Sequence, residues 1–463
     1  MSEHRGIFSS RMGFILTAAG SAVGLGNIWR FPYLAGENGG AAFLFIYLIC
    51  VFTLCVPVMI GEIAIGRRAG TDAYGSYKKL GGGKWGYLGL FGIAVGIFIL
   101  SYYNVVAGWA FGYFLEISFG NLLNHQNFGA FFGEYVTNSG TILLFSLGFM
   151  VMTAVIVGQG IAAGIEAANK IMMPALYVIL IALIIYSLTL PNAMEGLKFY
   201  LVPDVGKINT QTIFDGLRQA FFSLSLGMGT LMTYGSYMRK DQNIISSAAT
   251  ISIADTSVAF LAGLMIFPLV FSEGVEPTQG PPLVFIVLPQ IFHSMGPILG
   301  RFIGGSFFLL LCFAALTSTI SLLEVPVAYL VDQKKFSRKR VSWGVALLIF
   351  AIGLLSMLSM GQVDFLTKLS FYQDRDFLTF VSDMCDISLT VGGTMMCLFI
   401  RYRWKIHNMD EEVALGANGY LQSATRKYLD VTISWICPIL LGIMSILIIL
   451  DKFIGLKVLF GWG

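Results

Sequence analysis

Polar residues fall on this chain in short clusters separated by long apolar runs. The runs lie near 11–36, 41–66, 86–118, 141–158, 165–190, 211–238, 243–271, 299–331, 341–359, 377–400 and 430–451. About 20 helical residues cross a hydrocarbon core of about 30 Å. In lipid, helices satisfy their backbone groups segment by segment. The pattern therefore predicts an all-α polytopic membrane protein with eleven transmembrane helices. Residues 281–295 (PPLVFIVLPQIFHSM) are apolar but short and Pro-rich, and predict a helical excursion in a loop. Too few residues follow Asp451 for a twelfth span.

Composition agrees. Of 463 residues, 56% are hydrophobic and only 12% are charged, about half the charged share of soluble proteins. A net charge of +3, without a basic tract, excludes a nucleic-acid partner and leaves membrane lipid as the surrounding medium. The six cysteines sit in or beside apolar runs with no CxxC or Cys/His spacing, and read as small buried residues. No cleavage site follows the first residues, so the first span is expected to remain in place. With the N-terminus inside, most of the 29 Lys and Arg residues fall on one side, and the loop 120–139 has none. That bias predicts a plasma-membrane protein with a cytoplasmic N-terminus and an external C-terminus.

Two spans read as broken. The first holds Gly20-Ser21-Ala22-Val23-Gly24-Leu25-Gly26-Asn27, followed by Arg30 and Pro32. The sixth holds Ser223-Leu224-Ser225-Leu226-Gly227-Met228-Gly229-Thr230. Taken singly, each is explained by close helix packing through small residues. Paired at the start of two five-span halves, they point to unwound backbone lining a binding cavity, the best sequence pointer to a transporter site.

At these residues the chain resembles the neurotransmitter:sodium symporter family. GSAVGLGNIWRFPYLAGENGGAAF is similar to its first-span signature and FFSLSLGMGTLMTYGSYMRKDQN to its sixth, with YYNVVAGW in span 3 and LTSTISLLEV in span 8. The likeness is strongest to bacterial amino-acid transporters of the family that have eleven spans. The resemblance implies a five-plus-five inverted repeat, with halves 1–190 and 191–405, and a cytoplasmic loop and helix 11 in 406–463. It also implies a sodium-coupled symporter for a neutral L-amino acid, with two sodium sites, and a monomer or weak homo-oligomer.

Residue by residue, it implies a first sodium site from the Ala22 carbonyl, the Asn27 side chain, Ser223 and Asp255. The second would use carbonyls of Gly20, Val23 and Ala314 and hydroxyls of Thr317 and Ser318. Those two hydroxyls have an ordinary alternative in bonding back to their own helix. Asn27 and Asp255 are polar groups inside spans, which are expensive and usually functional. Asp255 departs from the family pattern, which more often has Asn there. Chloride-independent relatives carry a carboxylate one turn on, where this chain has Ala259. Tyr47, Gln219 and Ser223 match the rest of a chloride environment. Asp255 is therefore expected to supply the compensating charge and make transport chloride-independent; the alternative is an Asp held protonated by burial.

The same resemblance assigns the substrate carboxylate to Tyr103 and to N–H groups near Leu25 and Gly26. The amino group goes to Ser225 and to carbonyls of the sixth-span break, Gly227 among them. Gly24 stands where amine transporters of the family carry Asp, so the substrate is expected to bring its own carboxylate. Ala22, Ile99, Phe222, Ser223, Met228, Ser318 and Leu322 complete a mostly apolar lining suited to an apolar or aromatic side chain.

For gates, Arg30 is expected to meet Asp383, with Asp376 and Asp386 as competitors. At the other end Arg5 is expected to pair with Asp332, near Tyr237 and Glu324, under a lid loosened by Phe8 where the family has Trp. Gly164 and Pro174 mark span 5 either as a static kink or as a segment that unwinds. No nucleophile triad, nucleotide loop or metal cluster suggests an enzyme. A non-transporting amino-acid sensor and a proton-coupled permease are the alternatives on this scaffold.

Overall fold

The computed structural model describes residues 6–274 and 283–454, without the side chains of Asp451 and Ile454. Nine helices among the described residues are long and apolar enough to cross a membrane. They are Ala41–Ala69 (span 2), Gly83–Ser118 (span 3), Ser139–Gly158 (span 4), Ile161–Ser187 (span 5) and Ile244–Ser272 (span 7). Leu299–Lys334 (span 8), Arg338–Leu358 (span 9), Phe377–Trp404 (span 10) and Ala424–Ile449 (span 11) complete them. The bent pair Arg11–Ala22 and Gly26–Glu37, 48° apart, forms span 1 and brings the number to ten. The sixth run is two pieces, Thr210–Ser223 and Thr230–Gly235, both too short to qualify alone. Length and composition thus reach ten among the described residues; the run expected as the sixth span is this broken element, called span 6 below. The loop run 281–295 contains a short helical stretch, Leu283–Ser294.

The breaks follow from local sequence. Span 1 stops at Ala22, where Val23 turns extended and Gly24 and Gly26 offer little helix propensity. A wide turn, Gly26–Arg30, restarts it, and Pro32 is accepted because it lies in the first turn of the next helix. In span 6, Ser225, Gly227 and Gly229 all take positive φ (53°, 85° and 79°). The glycines adopt that freely, whereas Ser225 is strained by about 1–3 kcal/mol. Its hydroxyl donates to the Ser21 carbonyl at 3.0 Å, tying the two breaks together.

Span 3 packs along span 8, with spans 4, 9 and 10 also against it, while span 1 lies among spans 5, 7 and 8. Backbones approach closely around span 6. A Cβ at Gly392 would stand 2.1 Å from the Gly227 carbonyl oxygen. One at Gly66 would stand 1.9 Å from the Met232 carbonyl oxygen, and one at Gly235 2.7 Å from that of Ile63. Only glycine admits such contacts, the small-residue packing typical of membrane helices. Outward from this interior, Phe45, Phe52, Leu144, Val178, Ile185, Leu347 and Ile446 are exposed, an apolar surface that water would not tolerate over this extent. All six cysteines are buried and unbridged.

Candidate functional site

The two breaks face one another across a cluster of buried oxygens. Asp255, on span 7 and fully buried, accepts from Asn27 Nδ2 at 2.8 Å, from Ser223 Oγ at 2.8 and 3.0 Å, and from Tyr47 Oη at 3.1 Å. Asn27 Nδ2 also reaches the Asp255 carbonyl at 3.0 Å, and Asn27 Oδ1 accepts from Gly24 N–H at 2.9 Å. Asn27, Ser223 and Asp255 are thus brought together, with Ala22 on the adjoining cavity wall. Gln219 Nε2 donates to the Gly26 carbonyl at 2.7 Å. Such a set of carboxylate, amide and hydroxyl oxygens suits a hard cation.

On the other flank of the first break, Thr317 Oγ1 donates to the Val23 carbonyl at 3.1 Å and to the Ala314 carbonyl of its own helix at 2.9 Å. Ser318 Oγ lies 3.3 Å from the Val23 carbonyl oxygen and 3.4 Å from that of Ser21. Thr317 thus combines the back-bond within span 8 with the approach to span 1, whereas the Ser318 hydroxyl is directed to span 1. Gly20 lies beside Thr317, whose Cβ would be 3.4 Å from a side chain at that glycine.

Between the breaks is a small cavity lined by Ala22, Gly24, Gly26, Ile99, Tyr103, Phe222, Ser223, Ser225, Met228, Ser318, Leu322 and Leu389. Its volume is about 20 Å³, room for one water, so an amino acid enters only as lining side chains part. The Tyr103 hydroxyl accepts from Leu25 N–H at 2.8 Å. A Cβ on Gly24 would be 2.3 Å from Ser318 Oγ and 2.7 Å from the Tyr103 hydroxyl, leaving no space for a side chain. Ser225, expected to meet an amino group, lines the cavity and donates its hydroxyl hydrogen to the Ser21 carbonyl, which leaves its oxygen able to accept.

Phe222 also lines a much larger vestibule of about 720 Å³. Arg30 stands over its ring at 4.6 Å, a cation–π contact. The expected partner of Arg30 is corrected here. Arg30 makes a bidentate pair with Asp386, at 2.5 and 3.1 Å, not with Asp383. Asp383 is engaged by the Tyr372 hydroxyl at 2.7 Å, Lys452 at 3.3 Å and Arg375 at 3.5 Å. Asp376 caps its own helix at Thr379. Arg218 joins the cluster through Asp215 at 2.7 Å and Asp386 at 3.6 Å.

At the end where span 1 begins, Tyr237 donates to Glu324 at 2.8 Å, and Arg338 pairs with the same carboxylate. Asp332 accepts from the Asp72 N–H at 2.9 Å; Arg5 lies outside the described residues. Phe8 is fully enclosed, edge-on to Phe14, Tyr234 and Tyr237. In span 5, Gly160 and a wide turn Ile161–Glu166 precede a helix that runs continuously through Pro174.

Glu62, Arg218 and Leu389 belong to the site but are not among the residues expected from sequence. Glu62 lies inside span 2, and its carboxylate accepts the Gly227 N–H at 2.7 Å, holding the sixth-span break. An ionisable residue within an apolar run was the available signal for it and for Arg218. Leu389 carried none.

Comparison with known proteins gives one family. A model described as the sodium:neurotransmitter symporter family matches residues 5–133 and 131–457. A sodium-dependent transporter of Bacillus subtilis, itself uncharacterised, is 39% identical over 424 residues, 90% of this chain and 92% of that protein. The sodium-dependent serotonin transporter of Drosophila melanogaster is 31% identical over 73% of this chain and 61% of its own length. The crystal structure of MhsT in complex with L-phenylalanine is similar with a TM-score of 0.87 at 43% identity, over 96% of this chain and 99% of that one.

Proposed function

Because this chain belongs to the sodium:neurotransmitter symporter family, and is a multi-pass, sodium-dependent symporter rather than an enzyme, we propose that it imports a neutral L-amino acid with an apolar or aromatic side chain. The observation that carries this reading is the apolar cavity between the two breaks. Tyr103 and the Leu25 N–H form its carboxylate end, and the Gly24 position is too crowded for the acid that would pair an amine. The phenylalanine complex of MhsT supports the same substrate class.

In this reading two sodium ions travel with the substrate. One is held by the Ala22 carbonyl, Asn27, Ser223 and Asp255. The other is held by Gly20, Val23 and Ala314 carbonyls with Thr317 and Ser318. Asp255 supplies a fixed negative charge, so no chloride is needed. Arg30, Asp386 and Phe222 close the external side. Phe8, Tyr237, Glu324 and Arg338 close the cytoplasmic side, where the N-terminus lies. The halves 1–190 and 191–405 alternate access around the cavity, and span 5 opens between Gly164 and Pro174 to let water reach the second sodium.

Equilibrium binding of the twenty amino acids and of dopamine, in sodium and in choline buffer, tests the proposal. Sodium-dependent binding of leucine-like or aromatic amino acids is expected. Equal binding in choline, or preference for dopamine, refutes it.

A further inference from the structure

Asn169 lies on span 5 between Gly164 and Pro174 and is fully buried. Its amide nitrogen donates to the Ile165 carbonyl at 2.9 Å. That bond fixes which way the amide is turned, and directs Oδ1 toward span 1. There Oδ1 would be 2.1 Å from a Cβ placed on Gly20, a point also 3.4 Å from Thr317 Cβ. Among the described residues Oδ1 has no hydrogen-bond partner. Buried amide oxygens are rarely left so, because desolvation is then uncompensated. A Cα–H contact with Gly20 offsets little of that.

The same seam between spans 1 and 5 carries further oxygens. A Cβ on Gly13 would be 1.9 Å from Glu166 Oε1. Gly13 and Gly20 are two helical turns apart, and Thr17 lies between them on the same face. The Thr17 hydroxyl is buried and likewise without a partner among the described residues. Glu166 accepts from Ser9 N–H at 2.8 Å and pairs with Lys170 at 2.7 Å, and Lys170 is partly exposed. Glu166, Thr17 and Asn169 thus lie in order along the seam, and Asn169 abuts Gly20, which stands beside Thr317 and its contact with the Val23 carbonyl. Ser318 flanks them on span 8.

We propose that Asn169 Oδ1 is a sodium acceptor of the second site, taking the ion on the flank of Gly20 that faces span 5 and passing it along the seam toward Glu166. An amide oxygen is a neutral, hard ligand of the kind this cation takes, and its lack of any other partner leaves it free for that use. The inference rests on the second-site assignment made above, and the test separates the two.

Equilibrium binding of radiolabelled sodium to the full chain, purified in detergent, is measured for wild type, Asn169→Ala, Asn169→Asp and Thr317→Ala. Asn169→Ala is expected to raise the half-saturating sodium concentration about tenfold, the effect of losing one good ligand. Asn169→Asp is expected to lower it and to slow sodium dissociation, a reversal that lost packing does not produce. Thr317→Ala marks the site itself and is expected to weaken sodium. An unshifted Asn169→Ala curve beside a shifted Thr317→Ala curve overturns the role of Asn169 and leaves the second site standing. Weakening by both Asn169 variants overturns it as well. An unshifted Thr317→Ala curve overturns the second-site assignment and the inference with it. If Asn169→Asp does not fold, melting of Asn169→Ala with and without sodium decides. A smaller sodium-induced rise with an unchanged sodium-free Tm supports the proposal. An equal drop in both conditions overturns it.

Discussion

Asp255→Asn isolates charge from shape. Oδ1 accepts from Asn27 and Ser223 at 2.8 Å each, and Oδ2 lies 3.0 Å from Ser223 Oγ and 3.1 Å from Tyr47 Oη. An amide whose oxygen takes the Oδ1 position keeps the first two bonds. Its NH2 group then faces two hydroxyls, either of which accepts by turning. The variant is expected to fold and to keep the cluster in place, having lost one buried negative charge. An interaction with a charged group is worth about 1.5–3 kcal/mol net, so sodium affinity should fall by about one to two orders of magnitude. A small anion can restore part of this, because uncompensated charge in a dry cavity is costly. Gln219 Nε2 spends one of its two N–H donors on the Gly26 carbonyl, so Tyr47, Ser223 and the second Gln219 N–H are the donors available to such an anion. The assay is amino-acid uptake into proteoliposomes in chloride or gluconate. Wild type should be indifferent to the anion, and the variant weak and chloride-stimulated. Strong chloride dependence of the wild type refutes the reasoning. A fully active, chloride-insensitive variant shows that the charge is balanced elsewhere.

Three further outcomes are expected. Tyr103→Phe removes the hydroxyl beside Leu25 N–H and should weaken amino-acid binding by about one to two orders of magnitude, with an unchanged melting temperature; unchanged affinity would place the carboxylate elsewhere. Asp386→Asn breaks the buried bidentate pair with Arg30 and should speed substrate dissociation about tenfold or more, since a guanidinium then loses its paired charge. Asp383→Asn should do so less, and stopped-flow release showing the reverse order would return the gate to Asp383. Pro174→Ala restores a backbone donor inside span 5 and should spare equilibrium binding while slowing turnover; wild-type turnover would identify Pro174 as a static kink.

Much of this architecture was legible because breaks in a membrane helix require residues that leave a trace. Gly24 and Gly26, and Gly227 and Gly229, announced both interruptions, and the polar residues Asn27, Ser223 and Asp255 stood out against apolar surroundings. The wrong choice between Asp383 and Asp386 has a geometric cause. The two are three residues apart on one helix and share a face, so periodicity offers both to Arg30. What separates them is the competition for Asp383 from Tyr372 and Arg375 in the irregular segment before span 10 and from Lys452 beyond span 11, which no helical periodicity brings together. The backbone contact of Gly392 with Gly227 was likewise invisible, because a lone glycine in a span looks the same whether or not another backbone lies against it. The hydroxyl of Ser225 was legible as part of a break but not as a strut between breaks.

The close contact of span 2 with the second piece of span 6, Thr230–Gly235, limits which parts of the molecule can slide. The Gly66 and Gly235 approaches interlock the two backbones like teeth, and Glu62 pins the Gly227 N–H above them. Shear along that line would drive Cα atoms into carbonyl oxygens, so the pair behaves as a single bearing surface. Motion that uncovers the cavity at that end must then take place on its other side, where the segment leading into span 1 rests against span 5 through Ser9, which donates its N–H to Glu166 and accepts from Lys170. Those contacts are hydrogen bonds at a partly exposed edge, which water can replace one at a time.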